Sequence, residues 1–336
     1  MPAKTDVVRS ETVLVQEFLA PLSAGEPGAF GLLDDCASMT PAPGMDLVFK
    51  TDPVVAGVHF FSHDAAADIA WKALAVNVSD LAAKAATPRA YLLAMALPSA
   101  PERGWMQDFA AGLLEAQTAF GCTLIGGDTD KVNGPLSISI TVIGEVPTGR
   151  MVRRGTSRAG DLIFVSGTIG DSAMGLVGLQ SNIPRKLWPI SKAEHQRLAA
   201  RYYRPQPCLA LRPALLAHAR AAMDISDGLA KDLERMASAS GIAATLNAAR
   251  VPLSAIAAKV AASAPDWLTG VLVGGDDYEI LCAIPPERAD AFKHDAASSG
   301  VQVTLIGTFS TGAGLTVLDA NGAPVELQRK GWDHFA

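Results

Sequence analysis

No apolar run in this 336-residue chain reaches the ~18 to 20 residues that a bilayer span needs. The opening MPAKTDVVRSETVLVQEFLA lacks the apolar core and small-residue cleavage site of an export signal. A soluble, cytoplasmic protein is expected, with no membrane partner. Cysteine is scarce. Cys36, Cys122, Cys208 and Cys282 lie far apart with no C-x-x-C pair, so neither a zinc knuckle nor a disulfide framework is indicated. Aromatic residues make up 6% of a chain that is 49% hydrophobic, which leaves the packing to Ala, Val and Leu. Basic runs are missing too, and the net charge of −6 argues against nucleic acid as a partner. Phosphate ligands stay open, because acidic proteins bind them through divalent cations.

What is present is length for two domains and an alternation of strands and helices, which predicts an α/β chain. Pro147, Gly149, Gly155 and Gly160, set among several Arg, mark the junction, and the domains are read as 1–148 and 149–336. In the first, a helical opening around Glu11 to Leu22 precedes a short strand, Asp46 to Lys50, that delivers Thr51-Asp52. The Ala-rich stretch from Lys72 to Pro88 reads as a helix, Ala90 to Leu97 as a strand, and Glu102 to Phe120 as a helix stopped by Gly121. Cys122 to Ile125 is a strand with Gly126-Gly127-Asp128 as its exit loop, and Leu136 to Val146 alternates as a half-buried strand. In the second, strands are expected at Asp161 to Ser166, Tyr278 to Ile284, Val301 to Ile306 and Gly314 to Leu318. Ile183 to Arg204 reads as a polar excursion with a helix, and Ala222 to Leu233 as a strand end, an acidic turn and a helix start. Gly167 to Gly175 lacks the GK[ST] of a P-loop and is equally an ordinary strand-to-helix turn.

Asp80 is the lone acid of its Ala-rich helix and shares a face with Asn77 and Lys84. An i, i+4 pair with Lys84 is one reading, a functional carboxylate the other. An internal echo bears on the choice. VSDLAAKAA around Asp80 is matched by ISDGLAKDL around Asp227, and LIGGDTD around Asp128 by LVGGDDY around Asp276. Asp128 follows Asp80 by 48 residues and Asp276 follows Asp227 by 49, which points to two related domains, each with a Ser-Asp helix start and a Gly-Gly-Asp loop.

Asp34, Asp35, Asp52, Asp80, Asp128, Asp224 and Asp227 stand mostly where a strand or loop ends. If several converge, two charges ~4 Å apart repel by about 4 kcal/mol at an effective dielectric near 20, and cations must accompany them. Oxygen ligands without Cys or His favour Mg2+ shared with substrate phosphates. Asp128-Thr129-Asp130 begins like a calcium loop but places Ser139 where the closing Glu is needed. Caps and turns are the competing use for any single Asp. Arg150, Arg153, Arg154 and Arg158 are candidate phosphate clamps or a solvated basic loop, and His59, between apolar residues, is a substrate contact or a core histidine.

Taken together, GLLDDCA, TDPVVAGVHF, KALAVNVSDLAAKAATPRAYLLAMALP, GGDTDKVNGPLSISITVIGEVP, MDISDGLAKDL, GGDDYEI and the closing GWDHF resemble the thiamine-monophosphate kinases. These form a branch of the superfamily that includes aminoimidazole ribonucleotide synthetase and selenophosphate synthetase. The resemblance runs from about Gly31 to Phe335. It implies an N-terminal domain that forms an intersubunit β-barrel in a homodimer, a C-terminal α/β domain, and an active site in the cleft between them. It also implies transfer of phosphate from ATP to thiamine monophosphate, with several Mg2+ ions. By the same resemblance Asp35, Thr51, Asp52, Asp80, Asp128, Asp224 and Asp227 are metal ligands, and Gly127, Asp128, Arg154 and Ser226 touch the nucleotide. His59 and Asp276 hold the thiamine phosphate, and Trp332 lies near the thiamine rings. Asp80, Asp128 and Arg154 carry the chemistry.

Four features depart from the family pattern. Lys50 stands where a hydroxyl residue often precedes Thr-Asp, Asp276 where Glu is usual, the Asp130 to Asn133 loop carries extra residues, and Arg329 lies where some relatives place an aromatic. Two rivals within the superfamily lack their chemistry here. Nothing before Gly31 offers the reactive Cys and Lys of a selenophosphate synthetase, and WDHFA is not the cysteine tail of a hydrogenase-maturation dehydratase. A phosphoribosyl cyclo-ligase and a non-catalytic, metal-stabilised binding protein remain as alternatives.

Overall fold

The computed structural model describes residues 6–180, 188–263, 266–327 and 331–332. The chain divides into two compact units, Met1–Leu81 with Ala86–Gly149, and Ala82–Ala85 with Arg150–Ala336.

The first unit opens on α1 (Glu11–Leu14), where the Ser10 hydroxyl accepts from the amide of Val13. The helical path continues as a wide turn over Val15–Leu19 and a tight one over Ala20–Ser23. Then come β1 (Met45–Val55), α2 (Ala66–Ala83), β2 (Thr87–Leu97), α3 (Arg103–Phe120), β3 (Thr123–Lys131) and β4 (Ser137–Pro147). The sheet order is β1-β4-β2-β3, antiparallel except for the β2–β3 pair. Pro53, which has no amide hydrogen, is tolerated because β1 is an edge strand. α3 buries Met106, Phe109, Leu113, Ala116 and Phe120 at helical spacing and ends at Gly121 in the left-handed conformation. Its Phe120 ring meets Trp71 of α2 edge-on at 5.0 Å.

Alternation along the paired stretches gives this sheet two unlike faces. Val48 and Val54 of β1, Leu93 and Met95 of β2, and Ile138, Ile140 and Val142 of β4 are buried. The other face carries Thr51 and Thr141, whose hydroxyls are 3.0 Å apart, with Phe49 62% and Leu92 36% exposed.

The second unit runs β5 (Leu162–Ser166), α4 (Asp171–Gln180), α5 (Lys192–Tyr203), α6 (Arg212–His218), β6 (Ala221–Asp224), α7 (Leu229–Ala239) and β7 (Ala243–Asn247). It continues with α8 (Ala255–Ser263), α9 (Asp266–Val273), β8 (Ile280–Ile284), α10 (Ala289–Ser298), β9 (Val303–Ser310) and β10 (Gly314–Leu318). The sheet order is β10-β7-β9-β5-β8-β6, with β10 and β7 parallel and the other pairs antiparallel. Its central strands are apolar on both sides because both faces are covered. Ile163 and Val165 of β5, with Leu281 and Ala283 of β8, pack against α4, α5 and α7. Phe164, Ile280 and Cys282 point the other way, against α6 and α10. The unit is therefore three layers, α/β/α.

Both sheets are open within the chain. Three expectations change. Thr51-Asp52 lies within β1 rather than at the end of a shorter strand. Gly126-Gly127-Asp128 lies inside β3 rather than in an exit loop, because its backbone keeps pairing with β2 through Lys131. The two Ser-Asp sequences also differ in structure. Ser79-Asp80 is inside α2, followed by Leu81-Ala82-Ala83, which prolong the helix. Ser226-Asp227 is a turn before α7, because Gly228 at φ 121° breaks the path. The echo in sequence thus falls on unlike elements. Arg329 and residues 333–336 of the closing motif lie outside the described residues, as does the start of the excursion at Ile183.

Candidate active site

In each unit some of the expected site residues come together and others stand apart. In the first, Lys50 and Asp52 share a face of β1, and the Lys50 ammonium stands 3.0 Å from Asp52 Oδ2 and 2.9 Å from Asp80 Oδ2. Burial works to remove the proton of Lys50. The charge and hydrogen bond of Asp80, then those of Asp52, outweigh it and hold the pKa above the ordinary lysine value. Lys84, which belongs with the second unit, donates to the carbonyl of Ala222 of that unit at 2.7 Å.

Asn77 sets the spacing of the acidic pair. It is fully buried, its Oδ1 accepts the Asp52 amide at 2.8 Å, and its Nδ2 donates to the carbonyls of Asp52 and Ala73. This clip ties the open edge of β1 to α2 and brings Asp80, one turn on, to Lys50. Its place beside Asp80 was visible from spacing, but its partner was not, since that partner is backbone. Asn77→Ala should destabilise the protein by about 1–3 kcal/mol by leaving the Asp52 amide without its acceptor. Urea unfolding reads this, and an unchanged midpoint would deny the clip any weight.

The other residues of this unit are more open. Asp35 and Asp128 are exposed, and Asp128 Oδ1 accepts the amide of Thr129 at 2.9 Å. Gly127 is paired with Leu93 across the sheet. The Thr51 hydroxyl is on the face opposite Lys50 and Asp52, bonded to Thr141. His59 Nδ1 accepts the amide of Val55 at 3.0 Å, which leaves any proton of the neutral ring on Nε2.

In the second unit, Ser226, Asp227, Asp276 and Trp332 come together through backbone bonds. The Ser226 carbonyl accepts the Asp276 amide at 2.9 Å, the Ile225 carbonyl accepts that of Tyr278 at 2.8 Å, and the Asp227 carbonyl accepts that of Trp332 at 2.9 Å. Asp224 closes β6 two residues before Ser226 and is buried. Trp332 keeps half its surface in solvent beside Asp227. The turn itself is held by Asp232, a residue that composition and motif had passed over. Its Oδ2 accepts the amides of both Ser226 and Asp227, at 3.0 and 2.9 Å. Burial pushes Asp232 up to about 6, against these donors and Arg235. Arg235 reaches Asp227 at 2.6 Å and Asp232 at 3.1 Å, while Lys231 lies 3.6 Å from Asp227. Arg154 lines a shallow depression with Glu234, Arg235, Ser238 and Ala239. Its segment is fastened to the edge strand β6, where the Thr156 hydroxyl donates to the Arg220 carbonyl at 2.7 Å.

Beneath the Asp276 loop is a second set of acids. Asp276 and Tyr278 adopt positive φ of 65° and 52°, and Asp277 between them is buried, with Oδ1 accepting the Gly170 amide at 2.8 Å. Glu279 accepts from the Ser166 hydroxyl and pairs with Arg201 at 3.1 Å. Burial raises both carboxyl groups, Asp277 well above the ordinary value. A group that holds its proton more tightly folded than unfolded stabilises fully below the ordinary 3.8 and loses that contribution as pH rises through the raised value. Stability should therefore fall above pH ~4, and Asp277→Asn should flatten the fall. Urea midpoints at about pH 5 and about pH 8 read this. An equal fall in the variant would assign it to other groups.

Against known proteins, residues 33–146 match the family model described as AIR synthase related protein, N-terminal domain, and residues 158–319 match its C-terminal domain counterpart. A thiamine-monophosphate kinase of Caulobacter vibrioides is 41% identical over 323 residues, covering 95% of this chain and 89% of that protein. The chain belongs to the thiamine-monophosphate kinases of the AIR synthase related family. A solved thiamine-monophosphate kinase from Stenotrophomonas maltophilia superposes with a TM-score of 0.78 at 38% identity, covering 87% of this chain and 90% of that one. The structure described as AaThiL complexed with AMPPCP and TMP gives 0.76 at 31% identity, covering 88% and 89%. Within this thiamine-monophosphate kinase family member, Asn77, Asp232 and Arg235 are the site neighbours that sequence reasoning left without a role.

Proposed function

We propose that this chain transfers the γ-phosphoryl group of ATP to thiamine monophosphate, giving ADP and thiamine diphosphate. The observation that carries this is the match, along nearly the whole chain, to a relative solved with an ATP analogue and TMP. The local geometry agrees with it. In the second unit Ser226, Asp227 and Asp276 present polar groups beside the half-exposed Trp332, whose indole face suits an aromatic heterocycle. We assign Gly127, Asp128, Arg154 and Ser226 to the nucleotide, and His59, Asp276 and Trp332 to thiamine monophosphate.

The acceptor is a phosphate oxygen, already anionic at neutral pH, so no general base or covalent nucleophile is required. Catalysis is then positioning and charge neutralisation, with Arg154 as a fixed cation beside the transferring group. The hard oxygens of Asp35, Asp128, Asp224 and Asp227 suit Mg2+ held jointly with substrate phosphates. When bound, Mg2+ neutralises charge on the phosphoryl oxygens. Among the described residues no three His, Cys, Asp or Glu side chains gather to hold a metal alone. The space between Asp52 and Asp80 fits such an ion poorly, because Lys50 stands in it.

We also assign the partly apolar outer face of the first unit's sheet, with Phe49 and Leu92, to a homodimer contact that completes the intersubunit barrel. A cytoplasmic site of action fits, since no described helix is long and apolar enough to cross a membrane and no described cysteine is paired.

Incubation with ATP, Mg2+ and thiamine monophosphate, followed by chromatography, should yield equal amounts of ADP and thiamine diphosphate. Folded protein that makes neither product at saturating metal would return the choice to a cyclo-ligase or a non-catalytic binding protein.

A further inference from the structure

Between Asp52 and Asp80, where two carboxylates invite a metal ion, the structure puts an ammonium group, 3.0 Å from one and 2.9 Å from the other. We propose that Lys50 is a built-in cation that takes the place of a divalent ion there, so that this chain binds one divalent ion fewer than it would with a hydroxyl residue at position 50. The proposal rests on reading the site as that of a metal-dependent kinase.

Three features support it. The gap is set by the backbone rather than by the lysine. β1 alternation puts Lys50 and Asp52 on one face, and the Asn77 clip holds the main chain of Asp52 against α2 one turn before Asp80. A divalent ion binding both carboxylates at the usual ~2.1 Å would need the volume that the ammonium fills, and an ammonium has no lone pair with which to join the ligand set. The neighbouring hydroxyl offers no substitute ligand on this face, because Thr51 is turned to Thr141 on the other side of the strand. A tethered cation has a consequence that a soluble one lacks: it cannot dissociate. One of the two charges of Asp52 and Asp80 is therefore neutralised before any metal or nucleotide arrives.

Manganese, a paramagnetic stand-in for Mg2+, allows bound ions to be counted by electron paramagnetic resonance without nucleotide or thiamine monophosphate. Lys50→Thr removes the charge and supplies an oxygen, and it should hold one more Mn2+ per chain than wild type. Lys50→Arg keeps the charge and should hold the wild-type number. Equal counts and equal affinities in wild type and Lys50→Thr would overturn the proposal, since Lys50 would then be swinging aside for the metal. If Lys50→Thr is unstable without metal, its melting temperature is followed against Mn2+ concentration instead. A steeper rise than in wild type supports the proposal, and an equal rise overturns it. Thiamine diphosphate formation by the wild type is assayed separately. A failed count with an active enzyme rejects only the role of Lys50, whereas an inactive wild type with the expected counts rejects only the kinase assignment.

Discussion

Asp80→Asn is expected to lower kcat by about 10³-fold, the size of a single preorganised electrostatic contact in an active site, while leaving the fold intact. The shape of the side chain is kept, and its amide oxygen can still accept from the Lys50 ammonium, which stands 2.9 Å from Asp80 Oδ2. Only the negative charge is lost. The helix has little need of that charge for its own stability. Asp80 lies near the C-terminal end of α2, where a carboxylate opposes the helix dipole, so neutralising it removes a local penalty. What the charge does is complete a cluster of two carboxylates and one ammonium, with a net charge of −1. The decisive comparison is kcat against melting temperature. A variant that melts like wild type and has lost turnover places Asp80 in the machinery. One that is equally folded and turns over at the wild-type rate would remove it.

The legibility of this site in the sequence followed the kind of interaction involved. Residue type and local spacing announced Asp80, Asp128 and the Ser226-Asp227 turn, because an isolated acid in an Ala-rich helix, or beside paired glycines, is conspicuous without any knowledge of partners. The alternation of β4 and the helical period of α3 were equally open, since each is a property of one segment. The pairing of Lys50 with Asp80 spans two elements and depends on the Asn77 clip, whose partner is a backbone amide that every residue but proline carries. Asp232 was hidden for a similar reason: it looks like an ordinary first-turn acid of α7, yet it accepts two amides from the preceding turn. The repeat misled in a different way. VSDL and ISDG differ at two positions, Val78 against Ile225 and Leu81 against Gly228, and of these Gly228 in place of Leu81 is the one that turns a helix interior into a turn. Alternation of strands and helices pointed to the layered second unit. The Ala-rich α8 and the mixed-polarity α10 passed unnoticed, because their sequences carry no strong apolar stripe and they form against a sheet already in place.

Gly275→Ala should damage both stability and turnover. A methyl group at this position would meet the Ser226 carbonyl oxygen at 2.2 Å, and the carbonyl carbons of Asp227 and Ser226 lie at 3.3 Å. All three are backbone atoms, so no side chain can rotate away. Ser226 cannot retreat easily either, because its amide and that of Asp227 are both held by the buried carboxylate of Asp232. The strain must therefore open the seam between the Ser226 turn and the Asp276 loop, breaking the 2.9 Å bond from the Asp276 amide to the Ser226 carbonyl. Overpacking costs about 1–3 kcal/mol and the lost hydrogen bond about 1 kcal/mol more, which predicts a loss of about 2–4 kcal/mol in unfolding free energy. The functional loss should exceed what that instability explains. Asp276 and Ser226 are assigned to different substrates, and a shift of ~1 Å between them is enough to lower turnover by about 10²-fold in the fraction that remains folded. Gly104→Ala is the matched control: it adds the same methyl near the start of α3 with nothing within 4 Å, and should leave kcat/KM as it is while keeping stability or raising it by up to about 1 kcal/mol. Denaturant titration and steady-state kinetics on the two variants, side by side, separate the outcomes. If Gly275→Ala behaves like Gly104→Ala, the seam is compliant and the register of Asp276 against Ser226 is not what the site depends on.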